Sequence, residues 1–207
     1  VNAGTRDEVK GEAGVAHFIE HCLFKGTKKR KTFHILNRLE RVGGDLNAYT
    51  TKEETWISAS FLERDLGRAV ELVSDIVFNS TFPEKEIIKE RDVILDEIAS
   101  VLDNPSDVIF DEFEERLFGK HSLGRTILGT SDSVRSLGAK EIKSFVDRNY
   151  CTDSMVFASV GSTPIKQFKK LCEKYLIHEN GKVKSTKRVA PNPQAIFDER
   201  IEQDTHQ

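Results

Sequence analysis

Apolar and polar positions alternate along this chain with two periods. Residues 11–25 are apolar on most sides and read as a helix. Thr32 is placed to cap a second helix running to Val42, with Ile35, Leu36, Leu39 and Val42 on its inner face and Gly43 as its stop. Residues 46–50 and 55–62 read as two strands, the second alternating well, and residues 1–5 as the tail of a strand. A helix over 63–79 precedes Thr81-Phe82-Pro83-Glu84, which predicts a capping box with Pro in the first turn of a long helix ended by Asn104-Pro105. Further helices are predicted around Val108, Phe113 and Leu117, at 131–137, at 139–149 and at 164–176, the last with Phe168, Leu171, Cys172 and Tyr175 on one face. A strand is predicted at 155–160. Hairpins interleaved with helices fit an α+β fold of sheet and helix layers better than a doubly wound parallel sheet.

Residues 1–177 read as one domain. From 178 to 194 the chain turns polar and Lys-rich, with Pro191 and Pro193, and reads as a linker or exposed loop. Residues 195–207 begin another alternating strand, cut short at Gln207. Composition narrows the function classes: 207 residues with a net charge of −3 suggest neither a nucleic-acid nor a membrane-surface partner. No apolar run approaches a spanning length and no signal peptide is visible. Three scattered cysteines make no disulfide framework, and Cys22 and Cys172 are expected as small core residues. Lys28-Lys29-Arg30-Lys31 is expected to be a solvated turn, and Trp56 and Phe61 are expected in the core.

The chemistry is concentrated in His17-Phe18-Ile19-Glu20-His21. On a helix, His17 and His21 lie one turn apart on one face, where two imidazoles can grip one metal ion, usually Zn2+. Glu20 lies beside them, placed to deprotonate a metal-bound water; this is the H-x-x-E-H order, the inverse of H-E-x-x-H. A zinc site needs a third protein ligand. Ile87, Glu90, Ile94, Glu97 and Val101 share one stripe of the long helix, and carboxylates on an apolar stripe need a cation or a hydrogen-bond network. Glu97 is the candidate third ligand, and Glu90, two turns earlier, a candidate to accept an N–H from a ligating His or to support Glu97.

Ala16-His17-Phe18-Ile19-Glu20-His21-Cys22-Leu23-Phe24-Lys25-Gly26-Thr27 resembles the signature of the pitrilysin (insulinase) family of zinc metallopeptidases, closest in look to the bacterial and mitochondrial processing-peptidase branch. Glu97 follows His21 by 76 positions, the spacing of that family's third ligand. The likeness continues through Gly43-Gly44-Asp45-Leu46-Asn47-Ala48-Tyr49-Thr50, His121 to Gly129, and Tyr150 to Val156. It implies a processing-peptidase-like sheet with helices on one face, and zinc-dependent hydrolysis of extended peptides or unfolded polypeptides with Glu20 as general base. It also implies a substrate strand bound beside Asn47 and Ala48, although Asn47 next to Gly43-Gly44 also reads as a turn residue. Family members are about twice this length, with a second homologous half, so this chain is expected to be a fragment. That half would come from the same or a partner chain, a dimer is expected, and the fragment alone should be weakly active or inactive. A bacterial cytoplasm is the expected compartment, with periplasm and mitochondrial matrix open. Two rivals stand beside this reading: an S-ribosylhomocysteine lyase-like enzyme, in which Cys151 would have to be the third ligand, and a non-catalytic subunit of a processing-peptidase-like complex.

Overall fold

Alternation builds a β-hairpin with one buried face. In the computed structural model, β1 (Asp45–Thr50) and β2 (Thr55–Ser60) pair antiparallel, from Thr50↔Thr55 to Asp45↔Ser60. Ala48, Thr50 and Thr55 are buried on the inner face, while Asn47, Tyr49, Trp56 and Ser58 are exposed on the outer one. Trp56 is therefore not a core residue: it is 50% exposed and stacks on Tyr49, ring centroids 5.8 Å apart. Phe61, half-buried, does pack against the core. The structure describes residues 1–176 and 188–193; the remainder of the expected linker and the expected strand from 195 lie outside them.

The helices are α1 (Val15–Leu23), α2 (Thr32–Glu40), α3 (Leu66–Asn79), α4 (Glu84–Leu102), α5 (Pro105–Phe118), α6 (Ser131–Ser136), α7 (Ala139–Asn149) and α8 (Ile165–Tyr175). α1 is central: it packs on β1, α4 and α7. Phe18, Ile19 and Leu23 of α1 meet Ile87, Ile94 and Ile98 of α4 and Ile142 and Phe145 of α7 in the main core. Ile35 and Leu39 of α2 close a second cluster with Ala69, Leu72 and Ile76 of α3. Helices packed against an antiparallel hairpin fit the expected α+β class. No helix among the described residues is long and apolar enough to cross a membrane.

Several local expectations change. Residues 1–5 form no strand of their own, although Val1 pairs with Thr55, and Thr5–Asp7 is a 3-10 turn. Residues 155–160 form no strand among the described residues. Thr32 is the first residue of α2 rather than its cap, because its hydroxyl is spent on the Lys25 carbonyl at 2.9 Å. Thr81 makes no capping box: its hydroxyl donates to Gly26 O, and Pro83 is the N-cap. Leu36 and Phe113 are exposed, Val42 and Cys172 only partly buried, since α2 and α5 pack by one edge and α8 has no fully buried residue. The basic loop is not wholly solvated: Arg30 donates to Glu71 and Asp75 at 2.5 Å each.

Candidate metal centre

The start of α1 is braced from outside. Gly14 has a left-handed φ of 87°, and a Cβ there would sit 2.5 Å from the Leu128 carbonyl, so only glycine lets the 128–129 loop press on this turn. The buried Glu8 carboxylate accepts from the amides of Gly14 at 3.2 Å and Ala16 at 3.1 Å, satisfying donors the helix cannot. Burial pushes the Glu8 carboxyl up to about 8, against the pull of those two amides.

His17 and His21 project from one face of α1, ring centroids 4.7 Å apart. Glu97, from α4, meets both: its Oε2 lies 3.7 Å from His17 Nε2 and 3.5 Å from His21 Nε2. Among the described residues, these three form the one group able to hold a metal ion, with ligand atoms within 4.8 Å of one another. Ligands about 2.0–2.2 Å from a tetrahedral ion stand roughly 3.5 Å apart, close to the separation of Glu97 Oε2 from each imidazole nitrogen, so the three side chains could hold such an ion. Burial, then the neighbouring His21, lowers the His17 pKa to about 4, which keeps this imidazole neutral and able to ligate.

Glu90 lies where the sequence placed it, buried behind His21. Its Oε2 is 3.3 Å from His21 Nδ1 and its Oε1 is 2.8 Å from Lys25 Nζ. A carboxylate on Nδ1 fixes the His21 tautomer and turns Nε2 toward Glu97. Lys25, one turn after His21, is a supporting residue the sequence reading did not single out; its i+4 spacing was the available signal. Glu20 Oε2 is buried without a hydrogen-bond partner, and burial raises its pKa. Thr50, at the end of β1, faces this carboxyl and opposes the rise without closing a full hydrogen bond; no motif could have named it.

Asn47 and Ala48 lie on β1, not in a turn. Thr55 spends its N–H and C=O on Val1, so Trp56, Ser58 and Ser60 face β1. By register, Leu46, Ala48 and Thr50 then point their main-chain groups to the other edge of β1, which no strand covers among the described residues. Ala48 N–H on that edge donates to Asn47 Oδ1 at 2.8 Å. Cys151 is buried and takes no part in the His–His–Glu group, which removes the lyase-like ligand set.

Two histidines and a glutamate from two helices, on an α+β frame with H-x-x-E-H order, are the side-chain types that hold zinc in one class of metallopeptidase. The chain belongs to the insulinase family (peptidase family M16), whose family model matches residues 1–131. It is 38% identical over 213 residues to an uncharacterised zinc protease of Mycobacterium leprae, covering 100% of this chain and 48% of that protein. It is 41% identical over 161 residues to the mitochondrial-processing peptidase subunit beta of Mus musculus, covering 78% of this chain and 33% of that one. A protease from Helicobacter pylori superposes with a TM-score of 0.83 at 25% identity, over 93% of this chain and 46% of that chain. An inactive peptidase M16 domain from Pseudomonas fluorescens shares the fold, with a TM-score of 0.84 at 21% identity. The chain thus spans about half or less of the length of these relatives.

Proposed function

We propose that this chain is the zinc-holding half of a metalloendopeptidase that cleaves extended peptides or unfolded polypeptides, with His17, His21 and Glu97 as ligands. The observation that carries the reading is the convergence of His17 Nε2, His21 Nε2 and Glu97 Oε2 from two helices on one point. One zinc ion bound there supplies a Lewis acid for the scissile carbonyl and brings the pKa of water near neutrality. Glu20, its Oε2 buried and unpartnered, takes up the proton and returns it to the leaving amine. Glu90 and Lys25 hold His21 in its ligating orientation. The uncovered edge of β1 offers the main chain of Ala48 and Thr50 to an extended peptide, whose approach requires Asn47 Oδ1 to release the Ala48 amide. Pairing there delivers the peptide main chain past Thr50, the residue facing Glu20.

A second homologous half, on the same or a partner chain, closes the site in this reading; the part-length match to its relatives supports it. The non-catalytic alternative is disfavoured because His17, Glu20, His21 and Glu97 are all present. Metal analysis and peptide cleavage of the longer native protein test the assignment. Glu20→Gln should retain zinc and lose turnover, whereas Glu97→Gln should lose both. Activity surviving in Glu20→Gln would remove the general-base role. The 207-residue chain alone should bind zinc with weak or no turnover; full zinc-dependent cleavage by it would show that no second half is needed.

A further inference from the structure

Glu20 Oε2 on α1, Thr50 Oγ1 on β1 and the Tyr150 hydroxyl just after α7 are buried, and none has a hydrogen-bond partner among the described residues. Native interiors hydrogen-bond nearly every buried polar group, so orphans that face one another need an account. These do face one another. Thr50 faces the Glu20 carboxyl, and the Tyr150 hydroxyl faces both Thr55 and Glu20. Thr50 and Thr55 are cross-strand partners on the buried side of the hairpin, and α1 packs on both β1 and α7. The four side chains therefore meet where α1, the hairpin and the end of α7 come together. Tyr150 sits deepest, in the main core and 4% exposed.

Counting protons assigns the roles. Thr55 Oγ1 gives its hydrogen to Ala3 O at 2.8 Å, so towards its other neighbours it can only accept. An ionised carboxylate can only accept as well. The hydroxyls of Thr50 and Tyr150 are then the donors of this group. Burial drives the Tyr150 phenol well above its usual pKa, so it keeps its proton. Glu20 stays partly exposed as a residue while its Oε2 is sealed, so the sealed oxygen is the one on the hydroxyl side. The terminal torsion of a glutamate is soft, and donors on one oxygen fix it. We propose that Tyr150 is a positioning residue for Glu20: its hydroxyl, with that of Thr50, holds Oε2 and leaves the other carboxylate oxygen free to take up the proton. The proposal rests on the general-base reading of Glu20 given above. It adds to that reading a residue from the end of α7 that touches neither substrate nor metal ligand.

Steady-state peptide cleavage by the full-length protein, with metal analysis, tests this on Tyr150→Phe, Thr50→Val and Thr50→Ser. Tyr150→Phe and Thr50→Val should each lower kcat about 10–100-fold, the worth of a hydrogen bond to a charged group. In Tyr150→Phe, KM should stay within about twofold and the zinc content should not change. Thr50→Ser should recover most of what Thr50→Val loses, which places the effect in the hydroxyl rather than in packing. Adding Tyr150→Phe to Glu20→Gln should lower the residual turnover no further, because the phenol acts through that carboxylate. A Tyr150→Phe protein that turns over like the wild type would overturn the proposal. So would one that loses zinc, or its fold by circular dichroism, together with its activity, because the hydroxyl would then be holding the core. Full activity in Glu20→Gln would instead remove the general-base reading itself.

Discussion

The seam between α1 and α4 and the groove beside β2 are opposite solutions to the same packing problem. At the seam, apolar residues of both helices close completely, with Phe18 and Ile94 at 0% exposure. The polar groups it buries are mostly partnered: Glu90 is held by His21 and Lys25, and Glu97 faces two imidazoles. At the groove, Ile57 and Ala59 make no main-chain hydrogen bond on the side away from β1 among the described residues, and Val156 is 90% exposed. The seam is built by two helices whose apolar faces meet, whereas the groove lies between β2 and residues 155–160, which form no strand among the described residues. The contrast separates a closed helix–helix contact from an open edge of the hairpin.

The largest effect should come from emptying the seam. Phe18→Ala removes a ring fully buried between α1, α4 and α7 and should cost about 3–5 kcal/mol, read by urea unfolding. Zinc affinity should fall with it, because the same helix aims both histidines. A loss below about 1 kcal/mol would mean the seam is looser than its burial indicates.

The next effect is pH-dependent. The folded pKa of Glu8, about 8, lies above its ordinary value of 4.5, so between those limits the folded state holds the extra proton. Stability should therefore fall as pH rises from about 5 to about 8 and level off above. Glu8→Gln should flatten that slope in a thermal-melt series. A wild-type melting temperature that rises over the same window would show that the Gly14 and Ala16 amides outweigh burial.

Glu90→Gln comes third. It keeps the shape but removes the charge that faces Lys25 and turns one of the two acceptor oxygens into an amide donor, so His21 and Lys25 cannot both be held, and it should weaken zinc binding about 10–100-fold in a chelator competition. The Glu97→Gln variant should lose far more, since it removes a ligand. Equal losses would make Glu90, too, a direct ligand.

Sequence made the seam legible because its signals are local. His17, Glu20 and His21 share one helical turn, and Glu90 and Glu97 share a stripe whose period is that of α4. Helix α7 and the two strands of the hairpin followed from the same periods. What escaped was decided by distant partners. Thr32 and Thr81 carry the chemistry of caps, but their hydroxyls found Lys25 O and Gly26 O instead. Trp56 looked like core by residue type, yet strand parity put it on the open face with Tyr49. Arg30 looked solvated until α3 brought Glu71 and Asp75 to it. Thr50 and Lys25 support the site only because the fold brings β1 to α1 and Glu90 to Lys25. The expected strands at 1–5 and 155–160 belong to this group as well: their residue pattern suits a strand, but a strand exists only when paired.

The smallest effect gives the sharpest test of the contrast. Val156→Ser alters a side chain that is 90% exposed in this chain, so it should change stability by no more than about 0.5 kcal/mol. The measurement is urea unfolding of this chain with and without the change. A cost above about 1 kcal/mol would mean that Val156 is buried in solution, and the seam and the groove would then differ less than their exposures indicate.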